Sequence, residues 1–220
     1  MIKAVAVDLD DTLCLSEAAC FEVENETLRQ MGRPPMPREI HKKTWGRLLA
    51  EAIQVRSPGV DAGEFMKRIA GNIGRAVAED RFDTVSEAAY QALDQLIAAG
   101  KTVFILTSRT GPEMVHFLAE DHELASRITA FYYFENTRFH KPDPRVFDEL
   151  LSENSLQPSE CVYIGDSPTD AQAAKQAGLH FIASLESGLR SEQAFAGLRA
   201  DGFVHRFSDV PAAVKKLASA

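Results

Sequence analysis

Asp8, Asp10 and Asp11 fall within four positions directly after the apolar run Val5-Ala6-Val7, and Thr12 follows them. Three further stretches carry groups able to act with them. Thr107 and Ser108 end the run Val103-Phe104-Ile105-Leu106, and Lys141 stands in His140-Lys141-Pro142. Gly165-Asp166-Ser167-Pro168-Thr169-Asp170 follows Cys161-Val162-Tyr163-Ile164. Two carboxylates held about 4 Å apart repel by roughly 4 kcal/mol at an effective dielectric near 20, so a cation or a shared proton must offset the cost. A rigidly held carboxylate such as Asp8 can act as a nucleophile and become an aspartyl phosphate. A second carboxylate two residues on, Asp10, can protonate a leaving oxygen and then take a proton from an attacking water. Asp166 and Asp170 add negative charge, and a cluster of oxygen ligands suits a hard cation such as Mg²⁺. Lys141 would help to neutralise a transferring phosphoryl group, and the Thr107 hydroxyl would bond one of its oxygens.

Each of these residues also has an ordinary reading. Asp-Asp-Thr is turn chemistry, and so is a threonine at a strand end. A loop lysine is solvated by default. Ser167 with Asp170 three residues on is a capping-box spacing, which is compatible with metal coordination by Asp170. Gly165 before Asp166 resists the ordinary reading more, because glycine lets backbone approach a ligand closely. Phosphate monoester hydrolysis needs accelerations of up to roughly 10²¹-fold, which a lone acid cannot supply. A nucleophile, an acid, a metal and a lysine gathered together can.

What must gather them is a sheet. The opening run is apolar throughout, as in the buried centre of a parallel sheet, and ligands sit beyond the carboxyl ends of such strands. In strand geometry Asp8 and Asp10 share a side. Strands are expected at Thr102–Thr107, Phe131–Phe134, Cys161–Ile164, His180–Ala183 and Gly202–His205. Between them come helices: one capped by Ser86 and closed by Gly100, one opened by Gly111-Pro112, and one from Asp143-Pro144 to Leu151. Another is capped by Ser167-Pro168 and ended by Gly178; one starts near Ser191, and the last runs from Pro211 to Leu217. Strands alternating with helices imply an α/β fold, a parallel sheet with helices on both faces. In that fold Asp8, Asp10, Thr107, Lys141, Asp166 and Asp170 reach the same edge.

The stretch from Ser16 to Asp80 breaks the alternation. Ser16 is placed to cap a helix to Gly32, a second helix spans Arg38–Val55, and a third Asp61–Glu79. With no strand candidate among them, residues 16–80 read as an all-helical insert in a core made of 1–15 and 81–220. The second helix holds His41-Lys42-Lys43-Thr44-Trp45-Gly46-Arg47, a basic and aromatic cluster in an acidic chain. The ordinary account of that cluster is a solvated basic face with Trp45 packed beneath it.

The chain has 220 residues, 45% hydrophobic and 25% charged, which suits a globular protein with a real core. A net charge of −8 argues against partners that want a basic face, namely nucleic acid and anionic membrane surfaces. No apolar run approaches the ~20 residues of a membrane span. The opening Met1-Ile2-Lys3-Ala4 has no signal-peptide layout, and Cys14, Cys20 and Cys161 lack zinc-like spacing. A cytoplasmic protein with reduced thiols is the expectation.

Taken in order, the motifs resemble those of the haloacid dehalogenase-like superfamily, in its helical-cap subgroup of phosphoglycolate phosphatase and β-phosphoglucomutase type. Asp8-Leu9-Asp10-Asp11-Thr12-Leu13 is similar to its first motif, Thr107 to its second, Lys141 to its third, and Gly165 to Asp170 to its fourth. The resemblance covers nearly the whole chain and implies a Rossmann-like core with an inserted cap. It implies Asp8 as nucleophile and Asp10 as acid and base. It also implies Mg²⁺ bound by Asp8, the backbone carbonyl of Asp10 and Asp166, with Asp170 in support. Lys141 would orient nucleophile and phosphate. A carboxylate at Asp10 favours a phosphatase or phosphomutase over a dehalogenase, whose halide leaving group needs no proton. Two departures stand out: Asp83-Thr84 replaces a frequent Pro-Gly, and Ser108-Arg109 follows Thr107 where relatives often carry Asn. Arg109 could touch substrate phosphate, though a solvated loop arginine is its ordinary account.

The expected activity is hydrolysis of a small phosphorylated metabolite, with Thr107, Ser108 and Lys141 contacting its phosphate and Lys43 and Arg47 of the cap contacting the rest. The alternatives are a phosphomutase and a non-catalytic binding protein that keeps the fold. Monomer and homodimer are not distinguished.

Overall fold

The computed structural model describes residues 1–45 and 49–218. These divide into two compact units, Met1–Leu13 with Val85–Ala220, and Cys14–Thr84.

The first unit is a six-stranded, fully parallel sheet in the order β3-β2-β1-β4-β5-β6. Its strands are β1 (Ala4–Val7), β2 (Thr102–Leu106), β3 (Ala130–Tyr132), β4 (Cys161–Gly165), β5 (His180–Ser184) and β6 (Gly202–Val204). β1 is central, and its residues are all buried, because both of its faces are covered. On one face Ala4, Ala6, Phe104, Leu106, Tyr163, Phe181 and Ala183 join Val146, Phe147 and Ala171 in a shared core. Val5, Val7, Val103, Ile105, Val162, Ile164 and Ile182 alternate with these and are at most 1% exposed, so the opposite face is covered as well. Burying each such side chain contributes roughly 1.5–3 kcal/mol.

Register fixes which residues reach the rim together. Val7 pairs with Ile105 of β2 and with Ile164 of β4. Residue 8 therefore stands level with Leu106 and Gly165, and Thr107 and Asp166 come one step later.

The second unit is helical: α1 (Ser16–Gln30), α2 (Arg38–Thr44), α3 (Leu49–Arg56) and α4 (Ala62–Ala78). It has a core of its own around Val23, Leu28, Met36, Ile53, Phe65, Ile69 and Ala76. Phe65, Ile69, Asn72 and Ala76 are the buried positions of α4, at the spacing of one helix face. Asn72 reaches α1 from that face, its amide donating to Thr27 Oγ1 at 2.8 Å.

The sheet unit carries α5 (Glu87–Ala98), α6 (Gly111–Met114), α7 (Asp148–Glu153), α8 (Pro168–Gln176) and α9 (Val210–Ala218). Ser86 caps α5, its hydroxyl accepting from the Ala89 amide, and Gly100 ends that helix with φ +73°.

Several sequence expectations fail locally. Ser16 does not cap α1: Leu15 holds the cap position, and the Ser16 hydroxyl donates back to the Cys14 carbonyl. The single helix expected over Arg38–Val55 ends at Thr44, because Trp45 turns extended (φ −61°, ψ 138°). Residues 46–48 lie outside the described residues, and α3 follows them. Near Ser191 only a 3₁₀ turn forms, Glu192–Phe195; Phe195 alone is buried in it, too little apolar surface to hold a longer helix. The aromatic strand is shifted to Ala130–Tyr132, and Phe134 opens a 3₁₀ turn instead. Asp143-Pro144 begins as the 3₁₀ turn Pro144–Phe147 before α7 takes over.

No helix among the described residues is long and apolar enough to cross a membrane.

Candidate active site

Four strand ends and the loops after them build one buried cluster within the sheet unit. Asp8 continues from β1, its amide donating to the Ile164 carbonyl at 2.9 Å, so its backbone is still held by the sheet. Its side chain is buried, with Oδ1 accepting from the Leu9 amide at 2.9 Å and Oδ2 lying 3.2 Å from Lys141 Nζ. Lys141 also donates to Asp170 Oδ1 at 2.7 Å and to the Tyr163 hydroxyl at 3.0 Å. Tyr163 in turn donates to the Leu106 carbonyl, which ties the lysine to β2 and β4 together. A lysine in the loop after β3, solvated by default, is here only 7% exposed.

Asp170 does two jobs. Its Oδ2 accepts from the amide and the hydroxyl of Ser167 at the start of α8, while Oδ1 holds Lys141. The capping box and the site role coexist because a carboxylate has two oxygens to offer. Gly165 makes room for this: a Cβ there would stand 2.7 Å from the Asp170 carboxyl group.

One carboxylate oxygen each from Asp8, Asp166 and Asp170 lies within 4.8 Å of the others, and all three residues are buried. Burial pushes the Asp8 carboxyl up to about 7; Lys141 opposes the shift, and Asp170 and Asp10 reinforce it. Burial likewise pushes Asp166 up to about 8, with Asp170, Asp8 and Asp11 adding to it and Arg190 opposing it. Burial works against the Lys141 ammonium, but Asp170 and Asp8 overcome it and hold its pKa well above the usual lysine value. Three buried acids with one lysine are short of positive charge, and their donor set, carboxylate oxygens only, is the set that a hard divalent cation takes. The residues therefore fit a Mg²⁺-like ion.

Asp10 stands apart from that trio. β1 ends at Val7 and the chain turns at Asp11, where φ is +55°, so regular strand alternation does not extend to Asp10. The Asp10 carboxylate meets Arg109 instead, at 2.6 and 3.0 Å. Arg109 is thus buried and paired, not solvated. Thr107 is buried, its amide donating to the Tyr132 carbonyl and its hydroxyl oxygen accepting from the Arg109 amide at 3.3 Å. Its hydroxyl hydrogen remains to donate. Ser108 beside it is exposed.

In the helical unit Lys43 is exposed on α2, and Arg47 lies outside the described residues. The basic cluster there is not simply a solvated face. His41 is fully buried, with Nδ1 2.6 Å from Glu17 and Nε2 3.2 Å from Glu24, and Arg56 donates to the same Glu24 oxygen at 2.5 Å. Trp45 packs against the His41 ring at 5.4 Å between centroids. Sequence reasoning gave Tyr163 and Arg190 no role, and for Arg109 it weighed a contact with substrate phosphate against a solvated loop, not a pairing with Asp10. The one available signal was the departure at Ser108-Arg109.

The chain is similar to known proteins in sequence and in fold. The profile of the family described as haloacid dehalogenase-like hydrolase matches residues 5–184. A phosphoglycolate phosphatase from Rhodospirillum rubrum is 28% identical over 205 residues, covering 83% of this chain and 79% of that protein. In fold, a candidate β-phosphoglucomutase from Thermotoga maritima is similar with a TM-score of 0.81 and 20% identity, over 98% of this chain and 99% of that one. CbbY from Rhodobacter sphaeroides, crystallised with phosphate, is similar with a TM-score of 0.73 and 22% identity, over 96% of both chains. The matched span contains every acid of the cluster, Thr107 and Lys141, and the chain belongs to the haloacid dehalogenase-like hydrolase family.

Proposed function

We propose that this hydrolase is a Mg²⁺-dependent phosphatase that cleaves a small phosphorylated metabolite through an aspartyl phosphate on Asp8. The observation that carries the reading is the buried contact of Lys141 with Asp8 and Asp170, beside Asp166 on the same rim. The metal would be held by Asp8, Asp166 and the Asp10 carbonyl, with Asp170 in support, and when bound it supplies positive charge to the phosphoryl oxygens. Asp8 attacks phosphorus: its oxygen bonds to phosphorus as the bond to the leaving oxygen breaks, and Asp10 gives that oxygen a proton. Water then attacks the same phosphorus and gives a proton back to Asp10; the bond to Asp8 breaks and inorganic phosphate leaves. Lys141 favours the ionised form of Asp8 and aims it, and the Thr107 hydroxyl donates to a phosphoryl oxygen.

Residues Cys14–Thr84 serve as the substrate-selecting cap in this reading, with Lys43 and Arg47 as contact candidates and Ser108 at the phosphate. Two features support it: the position of the insert directly after the first motif, and a core of its own. We place the enzyme in the cytoplasm, where Cys14, Cys20 and Cys161, which lack zinc-like spacing, would stay reduced thiols.

The name of the Rhodospirillum rubrum relative makes phosphoglycolate the first compound to test. A panel of phosphorylated metabolites with Mg²⁺ should release inorganic phosphate from at least one of them, and chelation should stop it. Isomerisation without release would replace the phosphatase by a phosphomutase. No turnover of any phosphoester would leave a binding protein.

Metal binding should also be visible in stability. Asp8 and Asp166 titrate near 7 and 8 in the fold, against a carboxylate value of 3.8. Their contribution is fully present below about pH 4 and is lost as pH rises through those folded values, because the unfolded chain has already released both protons. Metal-free protein is therefore destabilised as pH rises through this window, and a cation on the same carboxylates reverses the loss. At a hundredfold excess over Kd, Mg²⁺ adds about 2.7 kcal/mol, roughly 5–10 °C for a chain of this size. The melting shift caused by Mg²⁺ should be clear at about pH 8.5 and small at about pH 5.5. An equal shift at both pH values would count against these carboxylates as ligands.

A further inference from the structure

Arg109 lies two residues beyond Thr107, with its side chain 8% exposed. Its Nη2 donates to Oδ1 of Asp10 at 2.6 Å and its Nε to Oδ2 at 3.0 Å, the bidentate fork that only a guanidinium offers a carboxylate. The arginine is itself anchored. Its amide donates to Thr107 Oγ1 and its carbonyl accepts from the Phe134 amide at 2.9 Å. Its guanidinium carbon stands 5.6 Å from the ring centre of Phe117, which is fully buried.

Asp10 needs such a partner. It lies beyond β1, it is 36% exposed, and the residue after it turns left-handed, so the sheet does not fix its side chain. The trio of Asp8, Asp166 and Asp170 does not include it.

We propose that Arg109 is the positioning residue of Asp10 and that it serves the hydrolytic half of the reaction. The inference rests on the reading of Asp10 as the proton-transfer group. In the fork both Asp10 oxygens accept from the guanidinium, which fixes their directions. In that half-reaction the water oxygen bonds to phosphorus, the bond from phosphorus to the Asp8 oxygen breaks, the water proton passes to Asp10, and inorganic phosphate departs. Arg109 touches neither the phosphorus nor the water; it acts through Asp10.

The test compares the parent with Arg109→Gln, Arg109→Lys and Asp10→Asn on p-nitrophenyl phosphate with Mg²⁺. The leaving phenolate of this substrate needs little protonation, so the first half-reaction stays fast. Phosphate release is followed, and acid-quenched samples are weighed for the fraction of chain carrying one phosphoryl group. Asp10→Asn should accumulate that species. Arg109→Gln should do the same with kcat down about 10–100-fold and KM falling with it, within the range for a misplaced general base. Arg109→Lys, able to hold one oxygen, should fall between Arg109→Gln and the parent. If melting shows Arg109→Gln unfolded, Arg109→Lys carries the comparison, since it keeps the charge and loses only the fork. A raised KM with no phosphoenzyme in the arginine variants, or parental kinetics in both, would overturn the inference even while Asp10→Asn behaves as expected. Asp10→Asn with parental kcat and no phosphoenzyme would instead overturn the reading of Asp10 on which it stands.

Discussion

Replacing Asp8 by asparagine is expected to abolish turnover, by about 10⁴–10⁶-fold, the scale seen when a nucleophile is removed. Asparagine keeps the shape of the side chain and can still accept from the Leu9 amide at the position of Oδ1. It removes the charge that attacks phosphorus. The same substitution should raise stability in the absence of metal. Asp8 is buried beside Asp170 and Asp10, and burial holds its pKa near 7, so its ionisation works against folding at higher pH. Melting temperature up at about pH 8 in chelator, with phosphate release gone, is the combined result that separates a nucleophile from a structural acid. Loss of activity together with loss of stability would point to a structural role.

Replacing Lys141 by methionine should have the opposite effect on the fold and nearly as large an effect on the reaction. Lys141 is 7% exposed and holds Asp8, Asp170 and the Tyr163 hydroxyl at 3.2, 2.7 and 3.0 Å. Methionine fills similar space but leaves two buried carboxylates without their cation. Breaking a buried pair in this way costs about 3–5 kcal/mol. Turnover should fall by about 10²–10³-fold or more, the scale for losing one group that stabilises developing charge. A thermal melt and a phosphate-release assay check both parts. A variant as stable as the parent would show that Lys141 does not hold the cluster. The double variant with Asp8→Asn should recover part of the lost stability, since one of the stranded charges is gone.

The contrast between these variants shows what was legible in the sequence. The apolar run before Asp8 reads as a central buried strand because both faces of β1 are covered, and register does the rest. With all strands parallel, residues that follow β1, β2 and β4 reach one rim, so Asp8, Thr107 and Asp166 could be placed without coordinates. The double duty of Asp170 was half legible: its spacing from Ser167 announced the cap, and Lys141 supplied the second partner.

The Arg109 fork was not legible. Asp10 and Arg109 are ninety-nine residues apart, and no local pattern separates a loop arginine in water from one buried against a carboxylate. Helix limits failed for a related reason. The periodicity over Arg38–Val55 continues through Trp45, but tertiary packing of that ring against buried His41 goes with an extended backbone there. His41 itself looked like part of a basic surface, and Glu17, Glu24 and Arg56, which surround it, come from other helices.

The most direct measurement is covalent capture of the phosphoryl group. Asp10→Asn protein is mixed with p-nitrophenyl phosphate and Mg²⁺, quenched in acid and digested, and the peptides are sequenced by mass spectrometry. The prediction is one phosphoryl group on Asp8, formed only with metal present and missing from the variant that also carries Asp8→Asn. A phosphoryl group on any other residue, or turnover that continues without Asp8, would contradict the account.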